Sequence, residues 1–154
     1  MKQAIIKDNQ ELGFLIIQDR DCFLVGYKGV KVTQLYQEVF NLLKTSFSVG
    51  ATIGAVEDVK IGYRNNETQK YEITNIKPSH EVLSLNGNVG YKPNQVVFPH
   101  LHVSLSNENC EVVGGHLVDA TISITLESHL TIFPFTFNRE PDSVTGLDLI
   151  TGIL

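Results

Sequence analysis

The chain has 154 residues, 42% of them apolar and 19% charged, with a formal net charge of −5 at pH 7. This length and balance describe one ordinary globular domain, residues 1–154, able to bury a core without disulfide or metal staples. They work against a surface made to bind nucleic-acid phosphates, because the twelve basic residues are scattered and only Arg20, Arg64 and Arg139 are arginines.

At the start of the chain, Met1 to Asp8 carry charges where a secretory leader needs a longer apolar stretch. Nothing further along approaches the length of a membrane span. Cys22 and Cys110 form no metal or redox spacing, so the expected setting is the reducing cytoplasm, although a disulfide between them stays open. Residues 12–17 and 22–27 read as short strands around the turn Gln18-Asp19-Arg20-Asp21. Residues 31–47 predict a helix. Val32, Leu35, Tyr36, Val39, Phe40, Leu43 and Phe47 form one apolar stripe, with Gln34, Gln37, Glu38, Asn41 and Lys44 opposite. Gly29 precedes it without the further glycines and Lys-Ser/Thr pair of a phosphate loop.

After Gly50 strand patterns dominate, over 51–63, 71–76, 81–89, 96–106, 111–118 and 120–129. Their short polar connections imply antiparallel pairing. The predicted fold class is α+β: a mainly antiparallel sheet with one or more helices packed on its apolar face. The closing segment 145–154 is too apolar for a free tail. It is expected to dock on its own domain or to be buried against another subunit.

Three of the five histidines cluster, as His100-Leu101-His102 and Gly114-Gly115-His116. Successive strand residues alternate faces, so His100 and His102 share one. A hairpin that opposes Leu101 to Leu117, Val103 to Gly115 and Leu105 to Val113 makes a continuous apolar face. The same register opposes His102 to His116 on the other face, about 5 Å apart at Cβ, close enough for two ligands on one ion. It needs an odd-numbered loop, expected at Glu108-Asn109-Cys110. Glycines 114 and 115 leave room above the sheet for an ion and a substrate-sized group. Imidazole is the commonest zinc ligand, and three with an open position is a catalytic rather than a closed structural pattern. A half-exposed polar face is the plainer reading of the same spacing. His80 and His129 lie outside the hairpin and read as surface residues.

Taken together, the strand 81–88, His100-Leu101-His102-Val103 and Gly114-Gly115-His116-Leu117 resemble the PPC domain family, named for plants and prokaryotes. Gly54-Ala55-Val56, Ile61-Gly62-Tyr63 and the run from Arg139 to Leu149 extend the likeness across most of the chain. The resemblance implies an antiparallel sheet with packed helices, a homotrimer, and, as in stand-alone prokaryotic members, zinc on His100, His102 and His116. Plant members carry the domain beside an AT-hook, and prokaryotic relatives bear DNA-binding labels. This chain has no Arg-Gly-Arg-Pro and no basic tail.

The leading expectation is therefore a cytoplasmic, homotrimeric protein binding zinc or another divalent transition metal, with a small-molecule ligand at the metal. A metal-dependent hydrolase of small esters or amides is the alternative. Zinc on three neutral histidines makes hydroxide available near neutral pH, and Glu81 and Glu127 are the candidate acid–base residues. A DNA-associated regulator is a third reading, which the acidic charge disfavours; no membrane partner is expected.

Overall fold

Short runs with β-branched residues recur along the chain, and it forms ten strands and one α-helix. The computed structural model describes residues Met1–Leu154. The first three strands, β1 (Lys2–Lys7), β2 (Gln10–Gln18) and β3 (Asp21–Tyr27), pair in sequence as an antiparallel meander. Asp8 and Asn9, both at positive φ, make the tight two-residue turn between β1 and β2. After the helix α1 (Val32–Leu43) come β4 (Phe47–Arg64), β5 (Tyr71–Ile76), β6 (His80–Lys92), β7 (Val96–Ser106) and β8 (Val112–Ile132). The short strands β9 (Phe137–Pro141) and β10 (Asp148–Ile153) close the chain as a hairpin.

The sheet runs β1-β2-β3-β8-β4-β6-β9-β10, with β5 on β4. Strand β7 pairs with both β6 and β8, so β4, β6, β7 and β8 hydrogen-bond in a closed ring. Strands this long stay in register by bulging. β4 shifts register against β8 around residues 50–61, where Ala51, Gly54 and Asp58 take positive φ. Leu101, Val103, Leu105, Leu117, Ile122 and Leu126 point into the core, and α1 covers it with Val32, Leu35, Tyr36, Val39 and Phe40. The helix start has no side-chain cap of its own. Asp119 supplies one from β8, accepting from the Thr33 backbone N–H and hydroxyl.

This architecture corrects the expected α+β class. Strand makes up 67% of the residues and helix 10%, with a single α-helix, so the fold is mainly β with a large mixed sheet. The one parallel contact is Tyr91 with Asn138, between β6 and β9. Three strands that the sequence reading did not separate, β1, β9 and β10, account for part of the difference. The rest is β8, which runs unbroken through Asp119 where two strands were expected. The helix also stops short of Phe47. Lys44 takes the left-handed conformation and donates its backbone N–H to the Phe40 carbonyl. Thr45 then donates to the carbonyls of Phe133 and Phe135, and Ser46 accepts from the Phe137 N–H. Phe47 is buried as the stripe required, but as the first residue of β4.

The two cysteines are free, Cys22 buried and Cys110 exposed. The segment 145–154 is paired to β9 through β10, yet Leu149, Ile150, Ile153 and Leu154 stay exposed. No helix is long and apolar enough to cross a membrane.

Candidate metal centre

The β7–β8 hairpin takes the predicted register: His102 opposes His116, Val103 opposes Gly115, Ser104 opposes Gly114 and Leu105 opposes Val113. Its loop is Glu108-Asn109-Cys110 as expected. Cys110 sits at positive φ and donates to the Asn107 carbonyl, while the Asn107 side chain accepts the N–H groups of Asn109 and Glu111. Leu101, Val103, Leu105 and Leu117 are buried, so the histidines occupy the face opposite the core. The glycines serve packing more than ligand room. A Cβ on Gly114 would overlap the Val103 carbonyl oxygen, and one on Gly115 would press on that of Gly62 at 3.0 Å.

On that face the three imidazoles form a triangle, with ring centroids 5.2 Å apart for His100–His116 and 5.5 Å for the other two pairs. One nitrogen from each lies within 4.8 Å of the others. Three ligands on one zinc at about 2.0–2.1 Å stand roughly 3.3 Å apart, so the nitrogens need to draw in by at most about 1.5 Å to share an ion. His116 Nδ1 is buried without a hydrogen-bond partner, an orphan that a metal ion would satisfy. The residues present therefore fit the ion.

Burial and neighbouring charges favour the neutral form of two of the rings, the form that ligates metal. Burial, then the Arg139 charge, then the neighbouring His116 and His102 push the His100 pKa down to about 4. Burial and then His102 lower that of His116.

Neighbouring strands wall the site. Gly62 on β4 pairs with His116, Tyr71 on β5 lies 5.5 Å from its ring, and Phe98 lies 5.8 Å from that of His100. Asn88 and Asn86 on β6 pair with His100 and His102. Arg139 reaches across from β9, donating to Asn88 Oδ1 at 2.7 Å and to the Asp148 carbonyl at 3.2 Å. The β9–β10 loop roofs the cavity. Asp142 holds it by accepting from the Thr145 N–H and hydroxyl, both at 2.7 Å, and those bonds lower its pKa. Arg64 ties the loop down by donating to the Thr145 carbonyl. The cavity is partly open and has a volume of about 470 Å³.

Glu81 and Glu127 are exposed and do not line this cavity. Glu81 pairs with Ser106, four residues along β7 from His102, or roughly 13 Å by strand rise. Glu127 lies far along β8, beside Val25. The carboxylate that does line it is Asp148, together with Arg64 and Arg139. None of the three was singled out for the site from the sequence, because strands distant in the chain bring them there. Of the outlying histidines, His129 pairs with Asp21 at 2.7 Å. His80, expected at the surface, is buried, with Nδ1 2.9 Å from the Pro78 carbonyl oxygen.

A family model described as the Plants and Prokaryotes Conserved (PCC) domain matches residues 34–134. Among solved structures, a plant- and prokaryote-conserved (PPC) protein from Pyrococcus horikoshii is 26% identical, covering 90% of this chain and 99% of its own at a TM-score of 0.77. A metal-containing protein from Archaeoglobus fulgidus is 28% identical, covering 90% and 96% at 0.77. A protein from Bacteroides thetaiotaomicron, described as a candidate DNA-binding protein, is 18% identical over 91% and 97% at 0.84, which speaks for the fold alone. No curated protein matches the chain in sequence.

Proposed function

This chain belongs to the Plants and Prokaryotes Conserved (PCC) domain family, and on that premise we propose that it is a metal-binding protein. In this reading His100, His102 and His116 hold zinc, or another divalent transition metal, and the protein works as a homotrimer in the cytoplasm. The observation that carries it is the triangle of imidazole nitrogens within 4.8 Å, two of its rings favoured in the neutral form. The relative from Archaeoglobus, itself called metal-containing, points the same way. An exposed Cys110 thiol suits a reducing compartment. Zinc on three histidines keeps a position for water, whose pKa it brings to about 7. The chain's own part is to favour the neutral form of His100 and His116, orient the rings from one hairpin and roof them with the β9–β10 loop.

Elemental analysis of protein purified without an affinity tag tests the metal. The expected content is close to one equivalent per chain. Less than about a tenth of an equivalent, with none taken up on titration, overturns the reading.

One observation favours hydrolysis as a second reading. Asp148 lines the same cavity, and a carboxylate is the kind of group that exchanges a proton with a metal-bound reactant. Metal-dependent turnover of small esters that Asp148→Asn abolishes supports it; turnover that survives Asp148→Asn removes that role. Nucleic acid has no part in this proposal, since a net charge of −5 repels phosphate.

A further inference from the structure

Arg139 is a cation taken out of water. It is 5% exposed, and a guanidinium does not give up its proton at any ordinary pH. Its two hydrogen bonds go to neutral acceptors, the Asp148 carbonyl and the Asn88 amide oxygen. Its Nε is buried without a partner. The chain's side-chain ion pairs are Lys7–Glu38 and Asp21–His129, so no carboxylate sits within bonding distance of this charge. The Asp148 charge acts on it only from beyond bonding distance, and the Phe137 ring lies 5.8 Å away. A cation buried without a directly bonded anion is costly, and such a group normally meets one.

The surroundings carry the same sign. Arg64 lines the same cavity, and the three histidines below it are the proposed seat of a divalent cation. Asp148 is the single carboxylate among the lining residues. With an ion in place, two arginines and two metal charges face one aspartate. An anionic guest is the complement. The walls narrow its class further. Phe98, Tyr71, Leu147 and Leu149 present apolar surface around about 470 Å³, which suits a small organic body rather than a bare inorganic ion.

We propose that this cavity binds a small organic acid, its carboxylate held between Arg139 and the metal ion and its body against Phe98, Tyr71, Leu147 and Leu149. This rests on the metal centre proposed above and adds to it the chemical class of the ligand. Two coplanar oxygens match the fork of a guanidinium, and the same pair can bridge to a cation.

The test is calorimetric titration of the metal-loaded chain, with bound metal measured on the same sample. Acetate, benzoate and phenylacetate are the probes, benzamide is the neutral control and inorganic phosphate the competing anion. At least one carboxylate should bind with a Kd below about 10 mM, and benzoate at least tenfold more tightly than benzamide. Arg139→Lys should cost about tenfold in carboxylate affinity while the bound metal stays constant. Asp148→Asn, which removes the competing negative charge, should raise that affinity about threefold or more. Should Arg139→Lys fail to fold, the benzamide control and Asp148→Asn decide alone. Equal binding of benzoate and benzamide, phosphate binding tighter than every carboxylate, or an unchanged affinity in folded Arg139→Lys each overturns the proposal. A chain that takes up metal but no carboxylate refutes this inference only. A chain that takes up no metal refutes the metal reading, and this one with it.

Discussion

His102 is the exposed corner of the histidine triangle, whereas His100 and His116 are half-buried. It is therefore the proposed ligand that can be removed with least damage to the fold. His102→Ala should lower metal affinity by about 100-fold or more, beyond the 10–100-fold typical of losing an outer-shell partner. The metal-free stability should move by less than about 0.5 kcal/mol. Competition with a chromophoric chelator and a urea melt measure the two. The half-buried pair governs pH dependence. His100 is held down to about 4 and His116 is lowered as well, against 6.5 for an unperturbed ring. The unfolded chain then binds more protons than the folded one between those limits, so stability is full above about 6.5 and is lost as pH falls towards 4. In chelator, the thermal midpoint of the metal-free protein should drop between pH 7 and pH 5, and His100→Gln should flatten that slope. A midpoint that rises on acidification contradicts the assignment.

At the scale of elements, the hairpin and the helix are each positioned by a glycine. Gly114 lies where a Cβ would overlap the Val103 carbonyl of the facing strand, and neither rigid backbone can yield. Gly114→Ala should cost about 2–3 kcal/mol by urea denaturation and weaken metal binding by tilting His116. The helix seats differently. A Cβ on Gly26 of β3 would meet the side chains of Leu35 and Ile122, so this glycine makes the socket into which Leu35 of α1 fits. Leu35→Ala should cost about 3 kcal/mol through the cavity it leaves. Gly26→Ala should cost about 1–3 kcal/mol alone and clearly less beside Leu35→Ala, because the shortened residue 35 vacates the space. Additive costs in that double-mutant cycle contradict the socket.

For the whole molecule the question is what covers the outer surface. Ile53, Leu83 and Ile124 are 59%, 52% and 62% exposed on the adjacent strands β4, β6 and β8, away from α1. Large apolar groups exposed together on neighbouring strands of one sheet suit a subunit contact. Light scattering at micromolar concentration should give close to three times the 17.1 kDa of one chain. A monomeric mass would refute the trimer. Replacing Ile53 and Ile124 by Lys should dissociate it while leaving the far-ultraviolet spectrum of the chain unchanged.

The β7–β8 hairpin, its register, its loop and its histidine face were legible in residues 100–117. Alternation, glycine and turn chemistry act between near neighbours, and a one-residue slip would have reversed every side chain. The start of α1 was legible for the same reason, from its apolar stripe. Its end was not, since Phe47 continues the stripe by spacing while hydrogen bonds from Thr45 and Ser46 to residues 133–137 turn the chain into β4. The balance of strand over helix was also hidden, because β9 and β10 are short and form through pairing more than through pattern. Arg64, Arg139 and Asp148 carry no local signal of a site. They reach the histidines only because β4, β9 and β10 are stacked beside β6 and β7, so tertiary structure alone decided the sign of the cavity's charge. Sequence determined where the three histidines lie on one hairpin; long-range pairing, whose partners are set by burial across the whole sheet, determined what surrounds them.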